Sequence, residues 1–265
     1  MSHLVAEVFA LFGAGVAAGT INTVVGSGTL ITFPTLLAFN FAPVLANVSN
    51  NVGLVPGVLS GVHGYRAELR GQRRRVMVLG SASLSGGLVG AILLLTLPAD
   101  AFKAIIPVLI GVALVMVLVQ PALAGWVARR QAARGSQRGR DGQGDRANAA
   151  GGPVLWVLVF FTGVYGGYFG AAQGVLLIGM LGIAFTDSLQ RLNAVKNVLA
   201  MLVNGIAAVV FIIATHIAWG AAGLIAAGAI LGGQIGARVG RRLPPWGLRV
   251  LIVCVGVAAL IKLLV

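Results

Sequence analysis

Charged residues are scarce in this chain, and their scarcity decides its class. They make up 9% of the 265 residues, against about 25% in a typical soluble domain. Hydrophobic residues make up 58%, and the mean hydropathy is +0.97. So few polar side chains cannot cover a surface that faces water, and the composition therefore excludes both a soluble globular protein and a disordered chain.

Residues that commonly build chemical sites are also rare. There is one cysteine, Cys254, which excludes a disulfide scaffold, and the three histidines lie on separate segments without metal-ligand spacing. The six acidic residues lie in loops and near segment ends, so paired carboxylates and a Ser/His/Asp set are missing. No nucleotide-binding motif occurs. The sequence therefore predicts no enzyme, no metal and no other cofactor.

Long apolar segments dominate instead. No charged residue occurs between Glu7 and Arg66, and this run is too long for the apolar region of a signal peptide, so we expect the N-terminal part to stay in the membrane. A helix needs about 20 apolar residues to cross a bilayer. Segments of that length are expected to cross at 46–65, 76–97, 103–124, 192–215, 218–238 and 246–264.

Two further apolar stretches, 4–38 and 153–185, are too long for one crossing and short for two. Gly26-Ser27-Gly28 interrupts the first, and the glycine-rich segment 166–174 interrupts the second. Glycine destabilises a helix interior by about 1 kcal/mol. We therefore expect each stretch to form two short helices that meet at an unwound turn. The alternative is one long tilted helix whose glycines allow close packing.

The segment 126–152 has a different composition. It is rich in arginine, glycine and glutamine and has almost no apolar residues between Gln131 and Asn148. Such a composition predicts a disordered cytoplasmic linker between two membrane halves, with contact to anionic lipid headgroups as a further role. A nucleic-acid-binding arm is the weaker alternative. The arginines are Arg129, Arg130, Arg134, Arg138, Arg140 and Arg146.

The two halves of the chain repeat. Their matching positions keep an offset that varies by two residues over about 100, which chance does not explain. The sequence therefore predicts membrane repeats at 1–125 and 153–265, joined by 126–152. The matches include Gly19 with Gly163, Gly26 with Gly170, Asn47 with Asn193, Asn50 with Lys196, Asn51 with Asn197, and Ser60-Gly61 with Asn204-Gly205.

Charge predicts that the repeats are inverted. The loop 66–75 is basic, whereas its second-half counterpart 216–219 has no lysine or arginine. The next pair reverses this contrast, because 97–103 has little charge and 238–249 contains Arg238, Arg241, Arg242 and Arg249. Positive loops face the cytoplasm. Parallel repeats would place four arginines outside, so we expect opposite orientations in the membrane.

The predicted fold is thus an all-α polytopic membrane protein with two inverted-topology repeats. Each repeat has a broken or re-entrant helical hairpin plus three transmembrane helices. Both termini lie outside, and every basic residue except Lys103 and Lys262 lies on or near the inner side. Ten full crossings are the alternative, since loop charge does not distinguish a re-entrant pair from a crossing pair.

Inverted repeats with broken helices are typical of transporters, whose substrate sites lie where half-helix N-termini point inward. Unwound glycine-rich backbone offers free N–H groups, and the helix dipole favours an anion. Packing alone is the alternative role for the glycines. The residues expected to bind substrate at the turns are Gly26, Ser27, Gly28, Thr29, Gly170, Ala171 and Gln173, with Tyr168 beside the second turn and Asn22 beside the first.

Amides and one lysine lie on the following helices. Asn47 with Asn51, and Asn193 with Asn197, share helix faces at i and i+4, and we expect the two faces to meet. Lys196 is an ionisable group inside a membrane segment, which marks a functional candidate. The alternatives are a lysine that reaches the interface and asparagines that only join helices. The predicted substrate-binding residues of this group are Asn50, Asn51, Asn193, Lys196 and Asn197.

These motifs together resemble the sulfite exporter TauE/SafE family of bacterial membrane proteins. The resemblance extends over nearly the whole chain except the linker, and it implies transport of small sulfur-containing anions such as sulfite or organosulfonates. The segments that carry it are Gly19 to Pro34 (GTINTVVGSGTLITFP), Gly61 to Arg66 (GVHGYR), Gly163 to Gly174 (GVYGGYFGAAQG), Leu192 to Asn197 (LNAVKN) and Gly232 to Gly240 (GGQIGARVG).

The leading functional hypothesis is a secondary transporter of a small anion, sulfite or an organosulfonate, that works by alternating access. A passive anion channel and a structural membrane protein without transport are the alternatives. The expected partners are the anion and the lipid bilayer of the cell (inner) membrane, with a possible homo-oligomer and no nucleic acid.

Overall fold

The computed structural model of the chain describes residues 2–137, 151–239 and 245–264. Within these ranges the chain forms ten helices and no strand. In chain order they are α1 (Ser2–Val24), α2 (Thr29–Ala38), α3 (Pro43–Gly64), α4 (Arg73–Thr96), α5 (Ala99–Gln137), α6 (Gly152–Tyr168), α7 (Gln173–Ala184), α8 (Leu189–Ala214), α9 (Trp219–Val239) and α10 (Pro245–Leu264).

Each of the six predicted spans coincides with a helix, namely α3, α4, α5, α8, α9 and α10. Five of the described helices are long and apolar enough to cross a membrane: α1, α4, α5, α8 and α9. The helix α3 has 22 residues but is less apolar, because it contains four closely spaced polar residues: Asn47, Ser49, Asn50 and Asn51. The chain is thus an all-helical, multi-pass membrane protein.

Both apolar stretches are broken where the glycines predicted a break. The first hairpin unwinds between α1 and α2 at 25–28, and the second unwinds between α6 and α7 at 169–172. The expectation of two short helices is wrong for α1, which has 23 residues. Gly15 and Gly19 do not interrupt α1 because α9 packs directly against them. A Cβ on either glycine would overlap the backbone of α9.

The basic segment 126–152 is in part helical. The helix α5 continues through it as far as Gln137, so the expectation of disorder is wrong for 126–137, where alanine, arginine and glutamine are good helix formers. The rest of the predicted linker, 138–150 with Arg138, Arg140 and Arg146, lies outside the described residues. Arg241 and Arg242 of the second basic loop also lie outside them.

Glycines allow helices from the two halves to pack closely. The helix α9 lies against α1 and α3, and α4 lies against α6 and α8. A Cβ on Gly19 would overlap the backbone of Ala229 in α9, and a Cβ on Gly167 would overlap the backbone of Gly87 in α4. Small residues have this role at helix interfaces in membranes, where dispersion contacts replace the hydrophobic effect. The first helix of each hairpin, α1 or α6, is therefore packed tightly against a helix of the other half.

An ion-pair cluster joins the two halves at one end of the bundle. Asp187, between α7 and α8, lies 3.1 Å from Arg75 of α4 and 2.9 Å from Arg191 of α8. The Arg75 guanidinium also lies 3.8 Å from the centre of the Phe185 ring. One carboxylate therefore holds two arginines from different halves.

Replacing Asp187 with asparagine should lower the free energy of unfolding by about 1–2 kcal/mol, because two charge-assisted contacts of partly buried groups are lost. Thermal unfolding of the purified protein in detergent measures the effect. Glu7→Gln is the matched control, since Glu7 makes no ion pair with a described residue. Equal melting temperatures for Asp187→Asn and Glu7→Gln would show that the cluster contributes no stability.

Candidate functional site

The two unwound turns touch each other. The backbone N–H of Gly174 donates to the carbonyl oxygen of Gly26 at 3.1 Å. Gly26 has a φ of +90°, a conformation that glycine adopts without strain. A Cβ on Gly26 would overlap the Cα of Gly174, and the reverse also holds. The contact between the turns thus needs a glycine on each side.

The helices that leave these turns, α2 and α7, present N-terminal amides to the same region. Among the described residues, nothing accepts a hydrogen bond from the backbone N–H of Ser27, Thr29, Ala171 or Ala172, although all four residues are buried. Buried amides normally have partners. Free donors at two helix N-termini, where the dipole is positive, suit an anion.

A small cavity lies between the turns. Its volume is about 20 Å³, which is the room for about one water molecule. An anion with several oxygen atoms needs more space, so it fits only if the turns and helices around the cavity move apart. The lining residues are Asn22, Gly26, Thr29, Val58, Gly170, Gln173, Gly174, Asn197, Ala200 and Asn204.

Gln173 supplies an unused donor at this cavity. Its side chain is buried, and its Nε2 has no hydrogen-bond partner among the described residues. Gln173 is the first residue of α7, and its side-chain amide packs against Gly166 of α6. A buried polar group without a partner costs free energy, which a bound oxyanion would recover.

Lys196 is buried, with 1% of its surface exposed. Its Nζ donates to the carbonyl oxygens of Asn22 at 3.2 Å and Thr23 at 3.4 Å. These carbonyls belong to the last turn of α1, where helix acceptors lack partners and the dipole is negative. The ammonium therefore caps α1 inside the protein and does not reach the surface, which excludes the alternative of an interfacial lysine.

Asparagine side chains also donate hydrogen bonds to backbone carbonyls at the ends of α1 and α6. Asn193 and Asn197 of α8 donate to the carbonyl oxygen of Thr23 at 3.1 and 3.3 Å, and Asn47 of α3 donates to that of Tyr168, at the end of α6, at 2.9 Å. The helices α3 and α8 pack together, but among the described residues no hydrogen bond joins Asn47 or Asn51 directly to Asn193 or Asn197. The uncapped carbonyls of α1 and α6 are the stronger demand for donors in an apolar interior.

Asn22 connects the capped end of α1 to the first turn. Its carbonyl oxygen accepts from Lys196, its side-chain Oδ1 accepts from the N–H of Gly28 at 2.7 Å, and the residue lines the cavity. Lys196 therefore supports the geometry of the Gly26 turn through one intermediate residue.

The remaining polar residues surround this centre. Asn50 accepts from the hydroxyl of Thr32, and Asn51 donates to Asn204 at 3.2 Å. The Ser27 hydroxyl and the Tyr168 hydroxyl have no partner among the described residues, and Tyr168 packs edge-on against Phe102. Of these side chains, only Asn204 lines the cavity.

Of the fourteen predicted residues, six line the cavity and eight do not. The first group is Asn22, Gly26, Thr29, Gly170, Gln173 and Asn197. The second is Ser27, Gly28, Asn50, Asn51, Ala171, Asn193, Lys196 and Tyr168. Sequence reasoning missed Val58, Ala200 and Asn204 as lining residues, whereas Gly174 lies in the glycine-rich segment 166–174 that predicted the second turn. The signal for Asn204 was its repeat match to Ser60.

Comparison with known proteins places this chain among membrane proteins. A profile described as sulfite exporter TauE/SafE matches residues 11–263. The "probable membrane transporter protein YfcA" of Escherichia coli K12 is 27% identical over 243 residues, which cover 86% of this chain and 79% of that protein.

Two more relatives have similar names. The "probable membrane transporter protein" of Haemophilus influenzae is 25% identical over 234 residues, covering 86% of this chain and 83% of that protein. The "probable membrane transporter protein ORF9" of a Sinorhizobium species is 27% identical over 264 residues, covering 96% and 91%. No solved structure matches the chain.

Proposed function

The chain belongs to the sulfite exporter TauE/SafE family, and we propose that it is a secondary transporter of a small anion, sulfite or an organosulfonate. One observation carries the proposal: Thr29 and Gln173, the first residues of α2 and α7, line one cavity, and the Thr29 backbone N–H and the Gln173 Nε2 have no acceptor among the described residues. Such donors match the oxygens of an anion. The names of the relatives, all probable membrane transporters, agree with a transport function.

The proposal includes two inverted repeats, 1–125 and 153–265. The packing supports it, because α1 lies against α9 as α6 lies against α4, and α3 lies against α9 as α8 lies against α4. The hydrogen bonds at the helix ends support it as well. Asn47 of the first half donates to the end of α6, and Asn193 of the second half donates to the end of α1. The predicted linker would join the halves on the cytoplasmic side of the inner membrane, where arginine-rich loops are retained.

The size of the cavity supports alternating access. At about 20 Å³ it is too small for a sulfur oxyanion, so binding requires the turns to separate. Among the described residues, the turns are joined by one backbone hydrogen bond and a close glycine contact. Rocking of one half against the other would widen the space first toward one side of the membrane and then toward the other.

Labelled sulfite counterflow in proteoliposomes tests the proposal. A carrier predicts saturable uptake that unlabelled sulfite on the opposite side stimulates. A passive channel predicts flux that neither saturates nor shows counterflow, and a structural protein predicts no flux above empty vesicles. Either of these last two results would overturn the proposal.

Gln173 provides a test of where the anion binds. Replacing it with glutamate keeps the shape but places a negative charge at the cavity, so the half-saturating concentration of sulfite should rise by about tenfold or more. Replacing it with leucine removes a donor without a partner, so the fold should keep its stability while affinity falls less than in the glutamate variant. Glu7→Gln is the control for surface charge. An unchanged half-saturating concentration in Gln173→Glu would contradict a site between the turns.

A further inference from the structure

The second turn contains a strained residue. Ala172 has a φ of +59°, which lies in the left-handed region where a Cβ is unfavourable. A residue other than glycine stays in this region only where its surroundings fix it. Ala172 directly precedes Gln173, which is the first residue of α7 and lines the cavity. A contact that fixes Ala172 therefore also fixes the start of α7 at the cavity.

One residue of α6, Tyr165, bonds this turn at several points. Its side-chain hydroxyl donates to the carbonyl oxygen of Ala171 at 2.5 Å. Its backbone carbonyl oxygen accepts from the N–H groups of Phe169 and Gly170 at 2.9 and 3.2 Å. Because a peptide unit is planar, the bond to the Ala171 carbonyl fixes the peptide plane that precedes Ala172. The hydroxyl therefore restrains the strained residue from one side.

The first turn provides a comparison within the same chain. Ile21 occupies the repeat position of Tyr165, and its backbone carbonyl oxygen also accepts from the residues four and five positions later. Ile21 has no hydroxyl, however. Gly28, at the repeat position of Ala172, has a φ of −62° and is not strained. The hydroxyl thus occurs in the half of the chain whose turn contains the strained alanine.

From these contacts, and resting on the proposed function, we propose that Tyr165 is a positioning residue for the anion site. Its hydroxyl holds the second turn in the strained conformation that places Gln173 at the cavity. Tyr165 does not line the cavity, and its hydroxyl already donates to Ala171, so it acts on the anion through the turn. Without the hydroxyl, Ala172 relaxes toward a negative φ and the start of α7 shifts.

Tyr165→Phe tests the hydroxyl, because it keeps the ring and removes only the donor. Labelled sulfite counterflow in proteoliposomes measures the half-saturating concentration and the maximal rate separately. The half-saturating concentration should rise by about tenfold, which is the effect of losing one buried hydrogen bond. The maximal rate per folded protein should change by less than about twofold, because the hydroxyl acts on binding geometry.

A second substitution distinguishes positioning from a general loss of packing. Ala172→Gly removes the strain, because glycine adopts a positive φ without a Cβ. In the Tyr165→Phe background, it should return the half-saturating concentration to within about threefold of the wild type. Ala171→Gly in the same background is the matched control. Ala171 has no positive φ, so glycine there relieves no strain and should not restore binding.

The outcomes separate this inference from the proposed function. No sulfite counterflow by the wild type overturns both. Wild-type counterflow with an unchanged half-saturating concentration in Tyr165→Phe, or equal rescue by Ala172→Gly and Ala171→Gly, overturns only the role of Tyr165. Size-exclusion chromatography shows whether each variant is folded. If Tyr165→Phe does not fold, recovery of the fold by Ala172→Gly alone supports the inference, and recovery by neither glycine overturns it.

Discussion

Replacing Gly26 with alanine is expected to abolish transport and to destabilise the protein by about 3 kcal/mol or more. The first contribution is backbone strain, because Gly26 has a φ of +90°, where a Cβ is unfavourable. The second is steric, because that Cβ would overlap the backbone of Gly174. Backbone has no alternative rotamer, so the clash is relieved only if the two turns move apart and the bond between them breaks.

Two further variants make this result specific. Gly174→Ala lacks the φ penalty yet has the same overlap, so it should lose transport with a smaller loss of stability. Gly13→Ala in α1 is the control, since nothing lies within 4 Å of the added Cβ. Melting temperatures in detergent and sulfite counterflow measure both effects. Wild-type counterflow in Gly174→Ala would contradict the close contact between the turns as a requirement for transport.

Replacing Lys196 with methionine is expected to reduce sulfite counterflow by about 100-fold and to change the free energy of unfolding by no more than about 2 kcal/mol. Methionine keeps an unbranched side chain of similar length. It removes a buried charge, which favours folding, and leaves the carbonyl of Asn22 without its donor, which opposes folding. The Thr23 carbonyl keeps its bonds from Asn193 and Asn197. Loss of function with a retained fold is therefore the signature of a functional charge.

Lys103→Met is the matched control, because Lys103 is exposed near the start of α5. Its counterflow should equal that of the wild type. If Lys196→Met is folded and transports like the wild type, then Lys196 serves only as a cap for α1. If Lys196→Met does not fold, Lys196→Arg, which keeps the charge, should retain part of the transport, and inactive, folded Lys196→Arg would contradict a role of charge alone.

The positions of the helices could be predicted because length and polarity decide them. Apolar segments of about 20 residues predicted the helices α3, α4, α5, α8, α9 and α10, and glycine clusters predicted both breaks. The length of α1 could not be predicted from its glycines, because their effect depends on the helix that covers them. Local composition also misjudged 126–137, where helix formers extend α5.

The candidate site was predictable in part. Gly26, Gly170 and Gln173 lie at sequence positions that mark the ends of broken helices, so a pattern identifies them. The partners of Lys196 and Asn193 could not be predicted, because the acceptors at the end of α1 lie about 170 residues away in the chain. Asn204 joins the site only because α3 and α8 pack together. Such contacts depend on tertiary arrangement, which repeat symmetry suggests but does not specify.

The most direct test of the central claim is a cryo-electron microscopy map of the protein in nanodiscs, at a sulfite concentration that saturates counterflow. The account predicts anion density between the Gly26 and Gly170 turns, beside Gln173, in a cavity whose volume is larger than about 20 Å³. Density at the Arg75–Asp187–Arg191 cluster instead, or no density between the turns at that concentration, would contradict it.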